Sequence, residues 1–441
     1  MQKHLRRLET LDVWWIIAVA AIIRVVFLIL FCATTDWGNY APLSGATAQT
    51  TGVDGYIQIA RTLWLSGEYA LEPGGMPVPF RPPVQPFLML IFGSWSPSHW
   101  HVIWLVCSVA LGVATIWVLW KCTQLVRLPA LSARLLLLAA AFHPYLVFAL
   151  RVPGIPSVLI FMTTLVLFAI LSFAKSNGRN PFPCGVIWGV ASLAHGCFLP
   201  LLMPMSALLL LAIRGTWKQK LGRTCLMAAT ALVVVSPWTL RNQLAFGRLI
   251  PVSTGGALQY WIADQIYFHR DYRKPPPPGG FFQEISDKFE RNHGRKPAMI
   301  HGGILDLNDD DLLVKEAKEQ IRSQPSILLD RAFKGSLLFW TTMDKGLKKA
   351  VIVALMNLPL ILLGLTLFMV VVARRSWTTE YLLAVFFMLG FWALFALVQA
   401  IGPYFVAISP CLLFVIALGF QLAGRQRQGC IQTTGTPDSD V

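Results

Sequence analysis

The stretch GVDGYIQIARTLWLSGEY, residues 52–69, places a lone carboxylate, Asp54, in front of an amphipathic pattern. An aspartate there has two chemical uses. It can act as a general base, a role that contributes roughly 10²–10⁴-fold to a rate, or it can cap a helix by accepting from free backbone N–H groups. Further on, PVPFRPPVQPF (77–87) sets Arg81 among prolines that forbid a regular helix. A planar guanidinium at a water–lipid boundary matches phosphate oxygens as a fork; the plainer alternative is a side chain that snorkels to lipid head groups. Asp36 in TTDWGNY is a second candidate base, with a solvated loop acid as its bland reading. Glu68 and Glu72 flank the end of the amphipathic stretch, and no further carboxylate occurs until Asp264. A carboxylate base in this part of the chain would be Asp54, one of these three neighbours, or a group from a later loop folding back.

Two histidines, His143 in FHPY and His195 in LAHG, interrupt apolar segments. A polar residue inside a membrane helix is a site candidate, though a lone histidine is more often a hydrogen-bonded packing residue. Neither has a ligand-bearing companion at i+3 or i+4, so no metal site is inferred. Arg24 falls inside the first apolar run, where pairing within a bundle is the simpler role. The eight cysteines lie in apolar runs, at their ends or in the C-terminal tail, which indicates no disulfide framework.

The elements that must position these groups are membrane helices. The chain has 441 residues, 55% hydrophobic and 13% charged, with a mean hydropathy of +0.59, too apolar for an ordinary soluble protein. Runs of about 20 apolar residues suffice to cross a hydrocarbon core of about 30 Å. The spacing predicts ten spans, near 13–33, 100–120, 134–150, 155–174, 183–199, 200–213, 224–240, 347–373, 380–400 and 404–423. The first is read as a retained helix rather than a cleaved signal. The basic residues of the short connections, including KHLRR, RGTWKQKLGR and GRQRQ, then share one side, which makes both termini cytoplasmic. The net charge of +15 belongs to that face and not to nucleic-acid binding.

Two hydrophilic segments, 34–99 and 241–346, face the other side and carry 4 and 13 of the acidic residues. The expected organisation is an N-terminal transmembrane catalytic module over 1–240, a large extracytoplasmic loop over 241–346, C-terminal helices over 347–424 and a cytoplasmic tail over 425–441. In the first loop Ile57, Ala60, Leu63 and Trp64 recur at helical spacing before Gly67, which predicts a short helix in the membrane interface with Asp54 at its start. In the large loop PPPPGG (275–280) predicts a turn or polyproline stretch. NDDDLL (308–313) lacks the ligand pattern of a calcium loop and reads as an acid-rich helix start. Loops over a rigid helical bundle usually carry selectivity, so this one is expected to serve acceptor recognition or to act as a lid.

Three stretches carry a family resemblance. DGYIQIARTLWLSGEY with FRPPVQPFLMLIFGSW resembles the first extracytoplasmic loop of the GT-C membrane glycosyltransferases, in the branch of the protein O-mannosyltransferases and the aminoarabinose transferases of lipid A. SPWTLRNQLAFGRLIPVSTGGALQYWIAD (236–264) is similar to the Pro-Trp-x-x-Arg-Asn segment of the prokaryotic polyprenyl-phosphate-sugar transferases. DDDLLVKEAKEQIRSQPSILLDRAFKGSLLFW (309–340) is similar to the helical segment before their later spans. The order is right and most of residues 10–415 is covered. Gly55 stands where many relatives have a second acid, Phe80 where lipid A-modifying relatives have Glu, and Pro403 where relatives often have an arginine before Tyr404.

The resemblance implies an all-α GT-C-like bundle of about ten helices in a bacterial inner membrane, with its site on the periplasmic face. It implies inverting transfer of a sugar from a polyprenyl-phosphate carrier to a lipid, polysaccharide or protein acceptor in the cell envelope, such as lipopolysaccharide. Asp54 is then the base, with Asp36 as runner-up. Arg81 and Arg241 meet the leaving phosphate, and Arg151, Tyr56, His195 and Tyr404 join the donor site. Gly55 in place of a second acid points to a lone-carboxylate site; no metal or other cofactor is expected. The rival reading is a lipid or glycan transporter, or an assembly subunit, that shares the fold without the chemistry. Internal repeats would favour a transporter, and none is evident. A related enzyme with another lipid-linked donor would keep the site and change its specificity.

Overall fold

The computed structural model describes residues 12–34, 55–93, 100–151, 155–269, 280–300, 303–341, 347–398 and 402–431. The helices are α1 (Val13–Thr34), α2 (Tyr56–Ser66), α3 (Val84–Gly93), α4 (Trp100–Leu125), α5 (Ala130–Phe142), α6 (Pro144–Phe148), α7 (Ile155–Lys175), α8 (Pro181–Ala194), α9 (Phe198–Ala212), α10 (Trp217–Phe246), α11 (Gly256–Asp264), α12 (Gly280–His293), α13 (Leu307–Ser323), α14 (Ile327–Thr341), α15 (Leu347–Ala373), α16 (Thr379–Val398) and α17 (Gly402–Ile431). One antiparallel hairpin, β1 (Met299–Ile300) with β2 (Gly303–Ile304), precedes α13.

The chain is a multi-pass membrane protein. Among the described residues seven helices are long and apolar enough to cross a membrane, within α1, α4, α7, α10, α15, α16 and α17. They match seven of the ten expected spans, and shorter apolar helices stand at the other three. The spans anticipated at 134–150, 183–199 and 200–213 are shorter or broken. Pro144 offers no N–H to continue α5, and His143 before it is extended, with ψ 114°. The chain breaks again at His195 (φ −154°, ψ 124°) between α8 and α9. Their 14 and 15 residues make rods of about 21 and 22 Å, too short to cross about 30 Å alone.

Helices α7 and α17 form the centre, with 78% and 89% of their spanning windows buried, against 17% for α1. Thr163 and Thr164 of α7 donate to the Leu159 and Ile160 carbonyls, so their hydroxyls are satisfied inside the helix. Arg24 of α1 is buried and donates to the Ala20 and Ala141 carbonyls. Ala141 lies in the last turn of α5, where carbonyls lack intrahelical donors, so the guanidinium caps a helix end within the bundle.

Gly185 and Gly189 bring α8 against α10. A Cβ at Gly189 would lie 2.6 Å from the Val234 Cβ and 2.8 Å from the Ala231 carbonyl, and one at Gly185 would meet the Met227 carbonyl. Small residues four apart give this close approach between membrane helices. Trp188 between them is fully buried and donates to the Phe198 carbonyl, 2.8 Å, which ties α8 to the first residue of α9 across the break.

The large polar segment is not a single loop. Its described residues run from inside α10 to α14, which packs along α15 and α16. A Cβ at Gly335 of α14 would collide with the Ala396 carbonyl of α16, and the Tyr267 hydroxyl donates to that same carbonyl, 3.1 Å. The acid-rich start of α13 has Asp306 as N-cap, accepting from the Asn308 N–H. Asp309, in its first turn, pairs with Arg295 and accepts from the Ala298 N–H at the hairpin.

Candidate active site

The first-loop helix α2 starts at Tyr56, and its N-cap is Gly55 in the left-handed region at φ 76°. The cap position belongs to the glycine, whose missing Cβ allows that backbone. Asp54 and Asp36 themselves lie outside the described residues. Gly67 closes the helix, also left-handed, its N–H bonded to the Leu63 carbonyl. The chain then turns through Tyr69 to the proline-rich segment. Tyr69 is buried, and its hydroxyl donates to the Arg81 and Pro82 carbonyls at 3.0 and 3.1 Å. Burial raises the Tyr69 phenol well above its ordinary range, which keeps it a donor. The Arg81 guanidinium lies 5.2 Å from the Tyr56 ring centroid and 5.0 Å from that of Phe80.

The PWTLRN stretch at the end of α10 positions the opposite wall. Trp238 donates to the Val252 carbonyl, Thr239 to that of Pro251, and Asn242 to those of Ile250 and Val252. These bonds hold the returning chain in place, so that Ser253, Thr254, Gly255 and Gly256 meet the Arg81 segment. The Thr254 N–H donates to the Pro79 carbonyl, 2.9 Å. Gly255, at φ 97°, is the N-cap of α11. At the far end of α11, Asp264 is paired at 2.8 Å with Arg331, both buried. Arg331 also donates to the Tyr260 carbonyl and stacks 3.4 Å from the Tyr260 ring centroid. His269 reaches the same carboxylate at 3.4 Å.

These walls enclose a pocket of about 280 Å³. Tyr56, Arg81, His195 and Tyr404 all line it, together with Phe80, the 253–256 turn, Gln259 and Phe395. Phe395 and Tyr404 stack with centroids 3.9 Å apart, and His195 stands at 5.8 and 5.7 Å from them. The pocket therefore sits at the α8–α9 break. Irregular backbone at membrane depth occurs where it lines a cavity or is buried in protein.

No family model matches the chain, and no curated protein does. Among solved structures, the chain is similar to the crystal structure of ArnT from Cupriavidus metallidurans bound to undecaprenyl phosphate, at 17% identity, covering 97% of this chain and 81% of that one, with a TM-score of 0.39.

Arg241 lies one layer behind the pocket. It donates to Asn242 Oδ1 and to the Tyr69 carbonyl, at 3.0 and 3.4 Å, inside a box of Tyr69, Trp238 and Phe246 rings with centroids 4.9–5.3 Å away. Arg151 ends a short 3₁₀ turn after α6, and its side chain lies outside the described residues. His143 is buried, away from this lining. Among the described residues no three of His, Cys, Asp and Glu gather as a metal-binding group.

The pocket also uses residues that sequence reasoning did not single out. The 253–256 turn and Gln259 are among them, although the turn lies in the quoted VSTGG stretch. Behind the turn, Asp310 of α13 is buried, and the Gly255 N–H donates to its carboxyl. Burial, together with the neighbouring Asp311, pushes that carboxyl up to about 6 against this hydrogen bond.

Proposed function

We propose that the protein is an inverting glycosyltransferase that moves a sugar from a polyprenyl-phosphate carrier to an acceptor outside the cytoplasm. The observation that carries this reading is the meeting of the Arg81 guanidinium with the N-terminus of α11 in one aromatic-walled pocket. The first N–H groups of a helix lack intrahelical acceptors, and the helix dipole favours an anion there. A guanidinium in the same recess adds a fork suited to phosphate oxygens. The motif resemblances of the first loop and of PWTLRN support the same assignment.

The chemistry needs three things. The acceptor hydroxyl attacks the anomeric carbon from the face opposite the phosphate, which inverts it, and its proton passes to a base. Only Gly55 separates Asp54 from the pocket-lining Tyr56, which makes Asp54 the base of this proposal. The bond from the anomeric carbon to the phosphate oxygen breaks, and negative charge gathers on the departing phosphate, where Arg81 and the α11 amides stabilise it. Arg241 acts from behind, through Tyr69. The site operates with a lone carboxylate. The large loop, 241–346, serves in acceptor recognition or as a lid, and the protein belongs to a bacterial inner membrane with the pocket toward the periplasm.

The test is turnover by purified protein. With a polyprenyl-phosphate sugar and envelope acceptors, the wild type releases polyprenyl phosphate, and Asp54→Asn nearly abolishes this without changing thermal unfolding. Full activity of that variant removes Asp54 from the mechanism. Lipid translocation in vesicles without sugar turnover would instead establish the transporter reading.

A further inference from the structure

We infer that His195 is a neutral hydrogen-bond donor to the phosphate held beside Arg81, with its proton fixed on Nε2 by the backbone of Cys197. The inference rests on the phosphate site proposed above and specifies how one more side chain serves it.

The backbone of His195 is held on both sides of the helix break. Its N–H donates to the Ala191 carbonyl at 2.9 Å, and its carbonyl accepts from the Phe198 N–H at 3.3 Å. The ring is fixed as well. The Cys197 N–H donates to His195 Nδ1 at 3.3 Å. A ring nitrogen that accepts a hydrogen bond carries a lone pair, which an imidazolium does not have, so the proton of the neutral ring sits on Nε2. Phe395 and Tyr404 flank the ring, with centroids 5.8 and 5.7 Å from it. Among the described residues nothing accepts from Nε2, and His195 lines the same pocket as Arg81 and the 253–256 turn.

A phosphate group offers more acceptor sites than one guanidinium fork can fill. A neutral Nε2–H supplies a further donor without placing a second cation beside Arg81. The arrangement also excludes His195 as the base: the nitrogen with the lone pair faces the Cys197 amide, and the nitrogen facing the pocket already carries a proton.

The experiment measures polyprenyl phosphate binding by purified full-length protein and its variants. His195→Gln keeps an amide N–H near the place of Nε2, whereas His195→Asn replaces only the Nδ1 side. Glutamine is expected to bind within about threefold of wild type, and asparagine and alanine about tenfold or more weaker, the tenfold loss equalling about 1.4 kcal/mol. Inorganic phosphate as competitor distinguishes the source of the anion: competition at equal concentration keeps the Nε2 role and assigns it to free phosphate. Equal binding by the glutamine and asparagine variants overturns the inference. If no His195 variant loses affinity while Arg81→Ala does, the inference fails and the phosphate site stands. If Arg81→Ala binds as wild type, the site reading itself fails. A readout on unsubstituted protein covers variants that do not fold. ¹⁵N spectra of histidine-labelled wild type should show one neutral Nε2–H ring that shifts on adding polyprenyl phosphate but not polyprenol. A protonated Nδ1 at that ring would contradict the assignment.

Discussion

The Tyr69 hydroxyl donates to the Arg81 carbonyl at 3.0 Å while the Tyr69 ring carries the Arg241 guanidinium at 5.0 Å. One buried phenol thus couples the arginine in the pocket to the arginine behind it, and fixes the turn that aims Arg81.

Tyr69→Phe removes the donor to two buried carbonyls and keeps the ring. Leaving buried acceptors unsatisfied costs about 1–3 kcal/mol, which thermal unfolding in detergent should register. A loss of about 1 kcal/mol in the aim of Arg81 weakens polyprenyl phosphate binding roughly fivefold. Binding titrations on the same variant check this second part.

Arg241→Ala should separate the two arginines. It empties the aromatic box, where a cation over rings contributes about 0.5–2 kcal/mol, and it drops the bond to the Tyr69 carbonyl. The expected result is a lowered unfolding temperature with a smaller loss of phosphate affinity than Arg81→Ala produces. Equal losses of affinity would put Arg241 in direct contact with the ligand.

Arg331→Met strands Asp264. Removing one partner of a buried pair costs about 3–5 kcal/mol, because the other charge is left uncompensated. The double variant with Asp264→Asn should recover much of that loss, and the coupling between the two sites can be read from a double-mutant cycle in thermal unfolding. Since the pair anchors the far end of α11, the single variant should also weaken anion binding at its near end.

Asp310 gives stability a pH dependence of definite sign. Its carboxyl is pushed up to about 6 in the folded protein, from an ordinary value of 3.8. The folded state holds this proton more tightly than the unfolded one, so the group favours folding at low pH and that contribution is lost as pH rises from about 4 to about 6. The swing is at most about 3 kcal/mol. Asp310→Asn cannot ionise and should lack it. The measurement is unfolding temperature against pH for both proteins, with the variant the more stable above pH 6.

The long spans were legible in the sequence because some 20 consecutive apolar residues leave few alternatives. The breaks were written there too, as Pro144 and as the polar His195-Gly196 pair, but a hydropathy window averages across them. Tyr56, Arg81, His195 and Tyr404 come from distant parts of the chain, and the structure brings all four to one pocket. The work of PWTLRN was not legible. Trp238, Thr239 and Asn242 act by holding carbonyls 250–252, a relation that depends on where the chain returns after α10 and not on local spacing. Asp310 was hidden for a related reason: three consecutive acids look solvated until tertiary packing buries two of them, Asp309 beside Arg295 and Asp310 against the Gly255 turn.

The most direct measurement compares a polyprenyl phosphate with the uncharged polyprenol of the same length, binding to purified wild type and to Arg81→Ala. The phosphate-bearing lipid should bind at least about tenfold tighter to wild type, a preference of about 1.4 kcal/mol, and Arg81→Ala should erase that preference while unfolding at the same temperature. Equal binding of the two lipids by wild type, or a preference that survives in the folded Arg81→Ala variant, would contradict a phosphate site at Arg81 and the transfer reaction built on it.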